Sequence, residues 1–284
     1  MSWSLDGKTC LVTGATSGIG RAAAIELARR GARLVLVARD PTRAESTLAE
    51  IVDRSGNRET SVIYGDLSSF AAVRKVAADY LASNRRLDVL VNNAGLVMDR
   101  REVTVDGLET TLAVNHYAPF LLTTLLLDRL RASAPARVVT VSSMGHKFAG
   151  RMDVERLEPA RFRGMQVYCI SKLCNVLFTR ELARRTEGSG VVAFSVHPGN
   201  VATRFGQNTG GILNWGSRLI ARMRRTPEKG AETVVYLCAT DGVERHSGEY
   251  FFDCRAIPTS RQGQDRDLAR RLWMASERVT GAVA

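Results

Sequence analysis

The 284-residue chain predicts an α/β fold, a doubly wound parallel sheet of about seven strands with helices on both faces. Three observations predict it. Short apolar runs alternate with longer helical patterns from one end of the chain to the other. Those runs are continuous in Val, Ile and Leu instead of alternating with polar residues, the mark of strands buried on both faces. No Pro/Ser/Gly-rich linker, low-complexity tract or internal repeat divides the chain, so one domain is expected over residues 1–284.

Taken in order, "TCLV" (9–12) is the first strand, followed by a helix over 18–30. "RLVLVA" (33–38) precedes a helix starting near 42, and "SVIY" (61–64) precedes one through "AAVRKVAADYLA". "DVLV" (88–91), "RVVTVS" (137–142), "VVAFSV" (191–196) and "GEYFF" (248–252) complete the strands. A last helix, 267–281, offers Leu268, Leu272, Trp273 and Val279 as a packing face for the core or a neighbouring subunit.

Composition narrows the function. The formal charge is +11, but the Arg residues are scattered as "ARRGAR", "SNRR" and "LARRT". Nucleic-acid binding needs clustering and a recognisable module, and neither is present, so no nucleic-acid partner is expected. The five Cys have no metal-ligand spacing and the four His lie far apart, so no metal site is expected. Buried packing is the expected role of Cys169 and Cys174. No apolar run approaches the roughly 20 residues of a membrane span. The opening "MSWSLDGKTC" has no signal-peptide core, and a reducing, cytoplasmic setting is expected.

In such sheets ligands bind beyond the carboxyl ends of the strands. "LVTGATSGIGRAAAIELA" places Gly14, Thr16, Ser17, Gly18, Ile19 and Gly20 between a strand and a helix. Glycines let a backbone approach a diphosphate, and a helix N-terminus favours its charge. This strand–turn–helix order is Rossmann-like, although its spacing is G-x-x-x-G-x-G. Arg39 follows the second strand, where it can hold a ribose 2′-phosphate, so NADP is preferred and NAD is the alternative. Asp40 is either a helix cap before Pro41 or a ribose contact. Arg21 either supports the phosphate or is an exposed helix residue. Asp66 and Leu67 follow the third strand, where Asp66 accepts from an adenine amino group or caps the next helix. Asn92, Asn93, Ala94 and Gly95 follow the fourth, where small residues let the backbone lie flat against a ribose.

By these features the chain resembles the short-chain dehydrogenase/reductase family over nearly its full length. The carriers are "TGATSGIG", "NNAG", Asn115 in "LAVNHYAPFLL", "VVTVSS", "YCISK" and "HPGNVAT". "YCISKLCNVLFTRELARR", "VNHYAPFLLT" and "SGEYFFDC" look most like the retinol dehydrogenase branch. A looser likeness is to light-dependent protochlorophyllide reductases, which share the Cys-Asn phrase after the Lys.

Tyr168 and Lys172 stand four residues apart, one above the other on a helix. Hydride transfer to or from a nicotinamide must be matched by a proton at the substrate oxygen. A phenol with pKa near 10 is a poor base at neutral pH, and a neighbouring ammonium lowers that value. Tyr168 is therefore the expected acid/base and Lys172 its pKa modifier. The resemblance implies that Lys172 also holds the nicotinamide ribose. Ser143 is the expected polariser of the reacting oxygen, with adjacent Ser142 the other candidate. Asn115, expected within a helix, would bind a water that links Lys172 to solvent. In "HPGNVAT", Pro198 and Gly199 shape a loop, and Val201 and Thr203 are placed to reach the carboxamide.

Two stretches are expected to wall the substrate. One runs from Met144 to Val167. The other, 204–225, has Gly hinges before an apolar face of Ile212, Leu213, Trp215, Leu219, Ile220 and Met223, as a lid would. Its Arg218, Arg222, Arg224 and Arg225 can instead meet an anionic membrane surface or an acidic substrate. The expected substrate is a small apolar carbonyl or alcohol, retinoid-like, polycyclic or an aldehyde. A ketoreductase of a specialised biosynthetic pathway and a non-catalytic NADP(H) sensor are the alternatives. The resemblance implies a homodimer or homotetramer.

Overall fold

The central strands are buried on both faces of one sheet, as their composition requires, while the edge strands are only partly covered. A computed structural model describes residues 3–199 and 225–282. Strands β1 (Thr9–Thr13), β2 (Arg33–Ala38), β3 (Thr60–Tyr64), β4 (Val89–Asn92), β5 (Ala136–Val141), β6 (Val191–Val196) and β7 (Tyr250–Phe252) are parallel, and β8 (Arg255–Ile257) runs antiparallel to β7. Their order is β3-β2-β1-β4-β5-β6-β7-β8. The order reverses between β1 and β4, which makes a cleft at their carboxyl ends. The sheet holds eight strands where about seven were expected. The addition, β8, is three residues long with two of them exposed, so it has no apolar run to announce it. It pairs through a tight turn in which Asp253 and Cys254 have φ of 48° and 58°.

Helices α1 (Gly18–Arg29), α2 (Pro41–Ser55) and α3 (Phe70–Ser83) follow the first three strands. After β4 come a short turn α4 (Thr110–Leu112), a π-helical turn (Ala113–Tyr117) and α5 (Ala118–Ala132). Helix α6 (Gly164–Arg185) precedes β6, and α7 (Pro227–Ala239) and α8 (Arg266–Thr280) lie in the last part of the chain. One face of the sheet packs Ala23, Ile25 and Leu27 of α1 with Val234 and Leu237 of α7. The other packs Val73 and Tyr80 of α3 with Phe120 and Leu126 of α5. Both faces are therefore covered, as continuous apolar strands demand.

Helix α8 covers this chain's own core. Trp273 stacks on Phe178 of α6 at 5.7 Å and meets Phe120 edge-on at 4.9 Å. Leu268 and Leu272 are buried as expected, but Val279 is 40% exposed. Ser276 takes the buried place that the Val279 assignment implied, because its hydroxyl satisfies a backbone carbonyl of its own helix and His116. The five cysteines are free thiols, four of them buried. Among the described residues there is no group of side chains able to hold a metal and no helix long and apolar enough to cross a membrane.

Candidate active site

The glycine loop is shaped by what it packs against. Gly14 has φ of +65°, and a Cβ on it would lie 2.7 Å from the Cα of Ala94. A Cβ on Gly20 would lie 2.3 Å from both the Gly14 carbonyl oxygen and Asn93 Nδ2. Gly18 has φ of +53°, which a side chain seldom tolerates. Asn93 Nδ2 donates to the carbonyls of Thr13 and Gly14, each at 3.0 Å. Its side chain thus braces the loop from β4. Thr13, not foreseen as a site residue, accepts from the Asn93 and Ala94 amides at 3.0 and 3.1 Å and donates to the Val91 carbonyl. Only its place just before Gly14 could have signalled it.

Ser17 stands at the N-cap position of α1 in an extended conformation but its side chain makes no capping bond, and no acidic residue stands in the first turn. The first amides of α1 are left for an anion. Ile19 packs on the core below, and the Thr16 carbonyl faces the Arg43 guanidinium. Asn92 Nδ2 donates inward to Thr123, so its part is structural. Leu67 and Ala94 line a small cavity with Thr13 and Val114. This loop fits the diphosphate of a dinucleotide: an uncapped helix end without opposing charge beside closely packed glycine backbone.

At the end of β2, Asp40 Oδ1 accepts from the Arg43 amide at 3.1 Å and caps α2, with Pro41 in the first turn. Of its two readings, the structure shows the cap. Arg39 is exposed and makes no ion pair among the described residues. Arg21 pairs with Glu50 at 3.1 Å. Asp66 Oδ1 accepts from the Ser68 amide at 2.9 Å, closing a turn before α3.

The catalytic candidates converge between β4, β5 and α6. Ser142 and Ser143 leave β5 in opposite directions. Ser142 is buried and donates to the Lys172 carbonyl at 2.7 Å. Ser143 accepts from the Gly145 amide at 3.1 Å and is hydrogen-bonded to Tyr168. A Cβ on Gly145 would meet Ser143 Oγ, Tyr168 Cε1 and Cys169 Sγ, each at 3.4 Å. Lys172 is buried, donates from Nζ to the Val141 carbonyl at 3.0 Å, and lies 5.6 Å from the Tyr168 ring centre.

Burial sets the charges here. It pushes the Tyr168 phenol up to about 12, against which the hydrogen bond to Ser143 acts, and it pushes Lys172 down to about 8. This corrects the expectation of a lowered phenol. Removing phenolate from water outweighs the effect of its neighbours. The hydrogen bond to Ser143 opposes that cost without overcoming it, and Lys172 is not among the groups that lower the phenol.

Asn115 lies in the π-helical turn, not in a regular helix. Its Oδ1 accepts from the Leu96 amide at 2.8 Å, and Nδ2 donates to the Leu96 carbonyl at 2.9 Å and to Ser171 Oγ at 3.0 Å. Ser171, a second residue unforeseen in the sequence, donates onward to the Tyr168 carbonyl. A Cβ on Gly95 would stand 3.3 Å from both Asn115 Oδ1 and Lys172 Nζ, so Gly95 keeps open the space those two groups face. Insertions of this kind recur at functional sites because they turn a side chain out of helical register.

Beyond β6, Gly199 has φ of +87° and packs on Arg225, whose guanidinium pairs with Asp253 and lies 4.7 Å from the Phe252 ring centre. Pro198 stands beside it. The expected contacts of Val201 and Thr203, and the lid over 204–225 apart from Arg225, lie outside the described residues.

The short chain dehydrogenase family model matches residues 8–211. The chain is 43% identical over 273 residues to retinol dehydrogenase 11 of Mus musculus, covering 96% of this chain and 86% of that protein. The crystal structure of an uncharacterized protein from Mycobacterium paratuberculosis superposes with a TM-score of 0.79 at 32% identity, covering 99% of this chain and 96% of the other. The RhlG/NADP active-site complex of Pseudomonas aeruginosa superposes at 0.71 with 29% identity, covering 87% and 95%. With the dinucleotide loop, the eight-stranded sheet and the Ser–Tyr–Lys cluster in one cleft, the chain belongs to the short-chain dehydrogenase/reductase family and is an oxidoreductase.

Proposed function

We propose that the protein is an NADP(H)-preferring enzyme that interconverts a carbonyl and an alcohol on an apolar, retinoid-like, polycyclic or aldehyde substrate. The observation that carries this reading is the convergence of Ser143, Tyr168 and Lys172 beside the cleft that the glycine loop opens. The likeness to retinol dehydrogenase 11 supports the substrate class, and the NADP of the RhlG complex supports the cofactor.

A nicotinamide held here would supply the hydride in reduction and accept it in oxidation. Gly14, Gly18, Gly20 and the first amides of α1 would hold the diphosphate, and Arg39 the 2′-phosphate. Ala94 and Gly95 present a flat backbone to the ribose. In reduction Ser143 donates to the carbonyl oxygen and polarises it. Tyr168 would give its proton to that oxygen, so that the reduced carbonyl leaves as an alcohol. A phenol held protonated by burial is suited to giving that proton. Lys172, placed to hold the ribose hydroxyls, returns a proton to Tyr168, with Asn115 orienting the path to solvent.

The test is parallel NADPH and NADH consumption with all-trans-retinal and a panel of apolar aldehydes, ketones and quinones. Turnover with NADPH, lost at least about 1,000-fold in Tyr168→Phe while NADPH still binds, is expected. Undiminished turnover in Tyr168→Phe would overturn the proposed chemistry. Binding of NADPH with no turnover of any carbonyl would favour the sensor instead.

A further inference from the structure

The turn that carries Ser143 is tied to a distant part of the chain by one imidazole. His146 is 1% exposed and sits in the 3-10 turn Met144–Phe148, directly after Ser143. Its Nδ1 is 2.7 Å from the Ser143 carbonyl oxygen, and its Nε2 accepts from the Ser260 amide at 3.1 Å. A carbonyl can only accept and an amide can only donate. The two partners therefore dictate the tautomer: Nδ1 carries the hydrogen and Nε2 carries the lone pair. Protonation would set two donors against each other at Ser260 and place a charge in a buried site. Burial holds the imidazole pKa below its ordinary value, against the pull of the Ser143 carbonyl.

We propose that His146 is a positioning residue for Ser143, a neutral Nδ1–H imidazole that locks the Ser143 turn to the segment carrying Ser260. This rests on the reading of Ser143 and Tyr168 as the reacting pair. The Ser143 carbonyl also accepts from the His146 amide at 3.1 Å, so the peptide is held from two directions. With that peptide fixed and Ser143 Oγ taking the Gly145 amide, the hydroxyl hydrogen is left for Tyr168 or a substrate oxygen.

The anchoring segment is itself built for the task. Gln262 accepts from the Met152 amide at 2.9 Å and donates to the Gly150 carbonyl, so residues 260–262 grip the 146–152 loop at three points. A Cβ on Gly263 would lie 2.9 Å from Thr259 Oγ1 and 3.2 Å from Val176 Cγ1, so the segment rests closely on α6. Helix α6 carries Tyr168 and Lys172. The Ser143 turn and the Tyr168 helix are thus referenced to one strap, with His146 as the link. The Tyr250 ring meets the imidazole edge-on at 4.7 Å and fixes its plane.

Three variants test this. His146→Phe keeps a ring against Tyr250 and loses both hydrogen bonds. His146→Asn sets an amide nitrogen where Nδ1 stands and recovers the bond to Ser143. His146→Gln sets an amide oxygen where Nε2 stands and recovers only the bond to Ser260. With all-trans-retinal and NADPH, the Phe variant is expected to lose about 10- to 100-fold in kcat, the scale of a small misplacement of a reacting group, with both KM values within about twofold. Asn should restore most of kcat, and Gln should not. Unchanged kcat in the Phe variant, or loss of kcat and NADPH affinity together without recovery in Asn, would overturn the proposal.

Two readouts need no turnover. The 15N imidazole spectrum of the wild-type protein at neutral pH should show His146 with hydrogen on Nδ1, and hydrogen exchange should show the Ser260 amide protected in wild type and open in His146→Phe. An Nε2–H form, or an unchanged Ser260 amide, refutes the inference even if retinal is not a substrate. If retinal is inert while both readouts hold, the substrate reading fails and the positioning link stands.

Discussion

Asn115 and Leu96 share a reciprocal pair of hydrogen bonds, the amide side chain of one matched to the backbone N–H and C=O of the other at 2.8 and 2.9 Å. The pair fastens the loop after β4 to the π-helical turn. Through Ser171 the same side chain reaches the backbone of Tyr168. Asn115→Ala leaves both Leu96 groups without a partner and should cost about 2–3 kcal/mol in denaturant unfolding. Asn115→Asp should do no better, because it sets a carboxylate oxygen against the Leu96 carbonyl. Wild-type stability in either variant would show that the pair contributes little.

Lys172 is held against its own interest. Burial lowers its pKa from 10.5 to about 8. Between those values the unfolded chain binds the proton and the folded chain does not, so stability rises with pH across roughly 8 to 10.5. Below about 8 both states are protonated and the full cost of burying the charge is present, about 3 kcal/mol at 1.36 kcal/mol per pKa step. Lys172→Met removes that cost and one hydrogen bond, while the Val141 carbonyl keeps its bond from Asn175 at 3.1 Å. The variant should be inactive yet about 2 kcal/mol more stable at pH 7, with the gain fading towards pH 10. Thermal unfolding at the two pH values reads it directly, and a less stable variant at pH 7 would contradict the assignment.

Gly20 meets Asn93 Nδ2 and the Gly14 carbonyl at distances no Cβ can occupy. Gly20→Ala should push Asn93 off the Thr13 and Gly14 carbonyls, destabilise the fold by about 1–3 kcal/mol and weaken NADPH binding. Gly56 also has a positive φ, but a Cβ there would meet nothing within 4 Å. Gly56→Ala therefore serves as the control that should leave NADPH affinity alone. Equal NADPH affinity in the two variants, by calorimetry, would remove Gly20 from the cofactor loop.

Asp40 is engaged in capping α2, so the proposed preference for NADP over NAD rests on Arg39. Arg39→Ala should weaken NADPH by about 10- to 100-fold, the range of a charge-assisted bond, and leave NADH within about twofold. Fluorescence titration with both nucleotides checks it. Equal loss for both would mean that Arg39 supports the loop and not the phosphate.

The sequence by itself determined the sheet and the cleft. Continuous apolar runs such as "RLVLVA" and "VVAFSV" can be satisfied only by strands covered on both faces, and β2 and β6 span those residues. The glycine loop and the Tyr168–Lys172 spacing were legible for the same reason: each is a local pattern whose geometry follows from a few adjacent residues. Tertiary structure decided the rest. It separated Ser143 from Ser142 by what each meets on α6, the Tyr168 side chain for Ser143 and the Lys172 backbone carbonyl for Ser142, assigned Asp40 to a cap, and raised the Tyr168 phenol through burial that no neighbouring residue reveals. It made a π-helical turn of the Asn115 segment, whose side chain is held by Leu96 and Ser171, and it brought His146 to Ser260 across 114 residues. Periodicity records which face of an element is buried. Desolvation and hydrogen-bond partnership depend on what the other elements bring to that face, and only folding supplies it.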